Sequence, residues 1–247
     1  MNGYGRGIMG LPPVVKNIIM LNILMILAYY AGGIAFNIDL NSLLGLYFPK
    51  SEQFKPFQIL THMFMHGSFW HIFFNMYALF IFGPILESVW GPKRFFIFYI
   101  VTGLGAAFTH ETVILFQYNN LIQSMSPENV QMVLEEGTKY IQQGKLFSQF
   151  DMQNLQLLLN TPTVGASGAI FGVLLAFGVL FPNTQLMLLI PPIPIKAKYL
   201  VIGYGALELI LAVTQPGSNI AHAAHLGGML FGYILIRYWR KTTNTLY

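Results

Sequence analysis

The chain has 247 residues, of which 55% are hydrophobic and only 9% charged, with a net charge of +4 and no cysteine. This balance lies far from that of soluble domains and excludes one, so the chain reads as a membrane protein. The lack of cysteine removes disulfides, thiolate metal ligands and cysteine nucleophiles together, leaving an oxygen or an amine for any nucleophile.

Several apolar runs approach or exceed the roughly 20 residues that cross about 30 Å of hydrocarbon, and they lack the polar/apolar alternation of a barrel strand. The spans are therefore helical. The first expected span is Val14–Phe36; Arg6 and Lys16 precede its apolar part, and without a small-residue cleavage site it reads as retained. Residues 37–67 mix polar and aromatic side chains and read as a first loop lying partly on the membrane surface. The second span is expected over Ser68–Glu87 and the third over Arg94–Thr109. Residues 111–163 form a long inserted loop that must carry structure of its own; Ser126, Pro127 and Glu128 are a helix-start signature for the segment Pro127–Gln143, and one or two surface helices are expected there. The remaining spans are Ser167–Phe181, Lys198–Thr214 and Ile220–Trp239, giving six in one domain over residues 1–247.

An even number puts both termini on one side. That side would hold Arg6, Lys16, Lys93, Arg94, Lys196, Lys198, Arg237, Arg240 and Lys241, while most acidic residues fall in the opposite loops. The positive-inside rule makes both termini cytoplasmic, in what the minimal amino terminus suggests is a bacterial plasma membrane.

Polar side chains inside spans are costly and mark candidate sites. His62, His66, His71 and Asn75 recur at spacings that keep them broadly on one side of a helix, His110 ends the third span, the fifth span carries Glu208, and the sixth carries His222 and His225. The fourth span is short. At 1.5 Å per residue, Ser167 to Phe181 covers about 22 Å, which recesses Ser167 roughly 8 Å below the outer surface. His225, His71 and Asn75 fall in the same layer. Gly168 and Gly172 pair in spacing with Gly228 and Gly232, so the fourth and sixth spans can cross closely and bring Ser167 to His225. A hydroxyl beside a histidine base is an activated nucleophile. His71, Asn75 and the Ser167 N–H could hold an oxyanion, and Phe171 could stack on the imidazole. His62 and His66 read as structural ties of the first loop, and Glu208 could orient a base but reads first as an interior hydrogen bond to a neighbouring span. Metal chemistry ranks below serine chemistry. The only His-Glu pair, His110-Glu111, lacks the second histidine of the zinc-protease helix, so neither metal nor cofactor is expected.

The motifs GASG around Ser167, AHLGGMLFG with His225, Gly228 and Gly232, HGSFWHIFFN with His66, His71 and Asn75, and ESVWGPKRFFIFY resemble the rhomboid intramembrane serine proteases. The resemblance implies an all-α polytopic membrane protein, a six-helix bundle with a short central fourth helix. It implies a Ser167/His225 dyad without an acid; an oxyanion hole of His71, Asn75 and the Ser167 amide; His66 as a structural histidine; Gly165, Phe171, Gly228 and Gly232 in support; and Gln215–Asn219 as a cap over the site. It implies transmembrane protein substrates reached in the lipid bilayer, with no nucleic acid partner. The alternative within the family is an inactive relative that binds membrane clients; such relatives typically lack the serine or the histidine, and both are present. Two departures stand out: Phe57-Gln58 replaces the Trp-Arg pair of many members in the first loop, and the 111–163 loop is much longer than in minimal members.

Overall fold

Pro12-Pro13 opens the first helix, because a proline at the first turn loses no helical hydrogen bond. The computed structural model describes residues 10–187, 192–214 and 221–242; Arg6, Ile220 and the expected cap at Gln215–Asn219 lie outside them. Helix α1 is Pro13–Phe36. Its first turn has no side-chain cap of its own, and Glu87 supplies one from a distance: the carboxylate accepts the Val14 and Val15 amides at 3.0 and 2.8 Å. A buried carboxylate on helix-end N–H groups that lack partners within the helix is stabilised by both the hydrogen bonds and the helix dipole.

The first loop carries two short helices, α2 at Leu40–Leu44 and α3 at Gln58–Thr61, followed by a 3-10 turn over His62–Phe64. Gln58 organises this loop. Its carbonyl accepts the Tyr47 and Lys55 amides, and its NH₂ donates to the Leu43 and Gln53 carbonyls, all from a side chain 1% exposed. The departure at Phe57-Gln58 thus anchors the loop through an amide that meets four backbone groups. Gln58→Ala leaves those groups unpaired and is expected to lower stability by about 2 kcal/mol or more, read as a lower thermal midpoint in detergent.

Helix α4, Phe69–Ser124, is two helices joined at Gly91, whose φ of 77° is non-helical. Its first limb carries the expected second span, and its second limb continues well past the expected end at Thr109. Nothing between His110 and Leu121 breaks a helix, so the chain leaves the expected span still helical. Helices α5, Pro127–Gln142, and α6, Phe150–Asn160, complete the insert. Ser126 caps α5 through the Asn129 amide. Tyr118, Met125, Val133, Phe147, Leu155 and Leu159 close a second small core here with Phe48 of the first loop. The insert is tied to that loop by the Leu46–Thr163 bridge and by Gln53 donating to Asn160 at 2.8 Å.

Helix α7, Ser167–Leu180, runs through the middle of the main core, with Ala169, Val173, Ala176 and Phe177 all at most 2% exposed. A two-stranded antiparallel pair, Gln185–Met187 with Pro194–Lys196, leads to α8, Ala197–Thr214, and α9 is His222–Thr242. By contrast α8 buries little: Ile202, Leu209, Ile210 and Val213 stand more than half exposed, as lipid-facing side chains do. The fold is that of an all-α polytopic membrane protein. Among the described residues three helices, α1, α4 and α8, are long and apolar enough to cross a membrane, and α7 is a shorter apolar helix.

The packing also sorts the charges. The Glu87–Val14 contact, the Trp90–Trp239 ring pair at 5.4 Å and Arg94 over the Trp239 ring gather the start of α1, the Gly91 turn and the end of α9 at one end. Lys16, Lys93, Arg94, Arg237 and Arg240 therefore cluster away from the inserted helices.

Candidate active site

The segment before α7 is fixed first. The Gly165 amide donates to the His62 carbonyl at 2.9 Å, and Gly165 itself has φ 134°, a conformation that side-chain-bearing residues rarely adopt. A Cβ there would lie 2.9 Å from His71 Nε2 and 3.6 Å from Ser167 Oγ, so a glycine is what leaves room between that ring and that hydroxyl. Ser167 is then the first residue of α7, where backbone N–H groups have no partner within the helix.

Against this end of α7 lies α9. Gly228 abuts the Gly168 carbonyl so closely that a Cβ would collide with it, and one on Gly232 would sit 3.4 Å from the Gly172 Cα. One turn before Gly228, His225 Nε2 meets Ser167 Oγ at 2.8 Å. The Phe171 ring stacks on the same imidazole, centroids 4.2 Å apart and planes 7° from parallel. Both histidine and stacking phenylalanine thus follow from two glycine-spaced helices.

The histidine series divides. Ser68 caps α4 by accepting the His71 amide at 3.2 Å, so the helix begins only there, and His62 and His66 precede it rather than continuing its face. His71 and Asn75 remain one turn apart on α4. Asn75 is buried and its Nδ2 has no partner among the described residues, leaving a donor for a ligand. The His62 ring bonds the Gln58 carbonyl at 2.9 Å. His66 differs from the expected tie: neither ring nitrogen has a hydrogen-bond partner of normal geometry among the described residues, and the loop is held instead by Asn41 donating to the His66 carbonyl and by the edge-on His66–His71 ring contact at 5.0 Å. Burial, with His71 beside it, pushes the His66 imidazole down to about 3, so it stays neutral. His110 Nε2 meets the Thr163 hydroxyl at 3.0 Å. A small cavity of about 20 Å³, enough for a water, lies beside Ser167 and is lined by His62, Thr163, Gly165 and Ala224 among others.

The interior hydrogen bond expected of Glu208 falls inside this site. Glu208, a buried carboxylate on α8, meets His222 Nδ1 at 2.6 Å and His225 Nδ1 at 3.0 Å through the same Oε2. An isolated glutamate in an apolar run signals that a partner exists but not which. Glu208, His222 and His225 each offer a ligand atom within 4.8 Å of the others, a set that zinc can use. Both imidazoles, however, converge on the carboxylate oxygen itself, which already satisfies it.

A family model described as the Rhomboid domain matches residues 53–242. Among curated relatives, Rhomboid protein 1, mitochondrial, of Saccharomyces cerevisiae is 28% identical over 75% of this chain and 42% of its own length. Rhomboid protease AarA of Providencia stuartii is 26% identical over 74% of this chain and 57% of its own. Presenilin-associated rhomboid-like protein A, mitochondrial, of Danio rerio is 29% identical over 72% of this chain and 37% of its own. The chain spans about half the length of the curated relatives it matches, or less.

Proposed function

The chain belongs to the rhomboid family, and from that premise we propose that it is an intramembrane serine endopeptidase that cleaves transmembrane segments of other proteins. The observation that carries the reading is the 2.8 Å contact between Ser167 Oγ and His225 Nε2. His225 takes the hydroxyl proton as Ser167 attacks the peptide carbonyl, then returns it to the leaving amine; water deacylates the enzyme by the same route. In this reading the Ser167 N–H, His71 and Asn75 face the developing oxyanion. The space Gly165 leaves beside His71, and an Asn75 Nδ2 with no partner among the described residues, support those two assignments. Phe171, Gly228 and Gly232 hold the base in register, and no step calls on a metal or cofactor.

We further propose six crossings, by α1, the two limbs of α4, α7, α8 and α9, within one membrane domain over residues 1–247. Residues 111–163 then form a helical cap outside the bilayer, joined to the first loop. Both termini face the cytoplasm of a bacterial plasma membrane. The gathering of Lys16, Lys93, Arg94, Arg237 and Arg240 at one end supports the orientation; of the three relatives above, two carry mitochondrial names.

The direct test is a fluorophosphonate probe on the purified chain. Covalent label on Ser167, absent from Ser167→Ala, is the expected result; no label on folded protein, with a membrane partner co-purifying, would assign the chain to client binding instead.

A further inference from the structure

The contacts of Glu208 reach past a two-residue mechanism. We infer that Glu208 is the positioning acid of the site, holding His225 from its Nδ1 side so that Nε2 faces Ser167, with His222 fixing the carboxylate in turn; this rests on reading Ser167 and His225 as the reacting pair.

Three observations carry it. The first is cost: Glu208 is 7% exposed on a helix whose neighbouring Leu207 and Leu209 are about half exposed toward the lipid-facing side. A carboxylate turned inward from such a helix is destabilising unless paired. Its partners are two imidazoles, His222 at 5% and His225 at 8% exposure, and both reach the same Oε2. The second is direction. For Nε2 to accept the Ser167 proton it must be unprotonated, so Nδ1 must carry the ring hydrogen, and a carboxylate oxygen 3.0 Å from Nδ1 favours that tautomer. The separation is short although Nδ1 lacks full hydrogen-bond alignment; such contacts commonly tighten once substrate is bound. The third is enclosure. Phe171 covers one face of the His225 ring, His222 stands edge-on to it at 89°, Ser167 takes Nε2 and Glu208 takes Nδ1. With its face and both nitrogens held, the ring has one orientation.

The proton accounting is closed. Ser167 Oγ gives its proton to His225 Nε2 as the bond to the substrate carbonyl carbon forms. The imidazolium keeps Nδ1–H against the Glu208 carboxylate, which takes no proton. Collapse of the tetrahedral species breaks the C–N bond and sends the Nε2 proton to the amine, and a water repeats the sequence on the acyl-enzyme. Glu208 thus acts only through His225, and His222 acts only through Glu208.

The experiment compares the full chain with Glu208→Gln, Glu208→Asp, His222→Asn and Ser167→Ala, all reconstituted in phosphatidylcholine vesicles, by cleavage of a fluorogenic single-span peptide and by fluorophosphonate labelling rate. Loss of the acid from a serine-histidine-aspartate triad costs about 10⁴-fold. Here Glu208→Gln is expected to lower kcat between about 10- and 1,000-fold, to slow labelling in parallel, and to leave KM and the thermal midpoint unchanged. Glu208→Asp, which keeps the charge, recovers part of the loss, and His222→Asn gives a smaller loss in the same direction. A purely structural glutamate would move the thermal midpoint and not kcat alone. Wild-type kcat in Glu208→Gln with an inactive Ser167→Ala overturns this inference and leaves the protease reading standing. An active Ser167→Ala overturns that reading and this inference with it. If Glu208→Gln does not fold, the other two carry the decision: lowered kcat in folded Glu208→Asp and His222→Asn supports the role, and wild-type kcat in both overturns it. Loss of activity to a chelator, restored by zinc, would give the three side chains to a metal and overturn it as well.

Discussion

Ser167→Ala and His225→Ala are each expected to reduce cleavage of a single-span peptide by at least about 10³-fold, with the double substitution no worse than either alone. The reason is that the two side chains perform one act. Without the imidazole 2.8 Å away the hydroxyl keeps its proton, and without the hydroxyl the base has nothing to activate. Groups that work as a unit are grossly non-additive, so equal single and double losses are the signature of a coupled pair. Neither substitution touches the backbone contact between α7 and α9, and Glu208 keeps His222 as a partner when the His225 ring is removed. Ser167 is a partly exposed first residue of α7, and in His225→Ala the glycine contacts of α9 and the Phe171–Tyr204 ring contact persist although the Phe171 stack on the imidazole is lost. Thermal midpoints within a few degrees of the parent are therefore expected, which separates lost chemistry from lost structure. Asn75→Ala provides a graded comparison. Removing one oxyanion donor typically costs about 10²–10³-fold, and the loss should fall on kcat. A Ser167→Ala protein that still cleaved at a tenth of the parental rate would leave the 2.8 Å contact without a catalytic meaning.

How much of this was legible beforehand follows the range of each interaction. The approach of Ser167 to His225 was readable because glycine spacing and helical phase are local: Gly168, Gly172, Gly228 and Gly232 announce two faces that can touch, and Phe171 and His225 lie one turn from them. The start of α5 was readable for the same reason, since Ser126, Pro127 and Glu128 act within one turn. Partner choice across long separations was not. Gln58 reads as an ordinary polar loop residue, and only the fold shows four backbone groups converging on it. Glu87 sits in a quoted motif, yet nothing nearby says that it caps a helix 72 residues away. Glu208 carried the correct signal, a charge in an apolar run, but sequence does not separate an interior hydrogen bond from the orienting of a base, and only packing sets the carboxylate beside His225. That the helix runs on past the third span was not legible for a different reason. Hydropathy falls where the helix leaves the apolar layer, but the backbone has no cause to stop there, and α4 continues to Ser124 to build a second core with α5 and α6.

Gly228→Ala is the substitution whose outcome runs furthest against ordinary expectation. In a helix interior, alanine is favoured over glycine by about 1 kcal/mol, so on propensity alone the change would stabilise α9. At this position the new Cβ collides with the Gly168 carbonyl, part of the α7 backbone, and no rotamer change can move it aside. Relief requires the two helices to separate. The expected cost is about 1–3 kcal/mol, the range for overpacked interiors, seen as a lower thermal midpoint. The larger effect falls on activity. His225 lies one turn from Gly228 and Ser167 is the immediate neighbour of Gly168, so a shift that clears the collision opens the 2.8 Å contact directly. A misplacement of about 1 Å at reacting groups costs about 10²-fold in rate, and Gly228→Ala should lose at least that much in kcat while retaining measurable fold. Gly205→Ala on α8 is the control. Its nearest obstacle is the methyl end of Met229 at 3.3 Å, a flexible side chain that can swing away, so this variant should keep both its midpoint and its rate. Parental kcat in Gly228→Ala would mean that the backbone contact between α7 and α9 does not set the distance between hydroxyl and base, and that loop or substrate contacts hold the pair together instead.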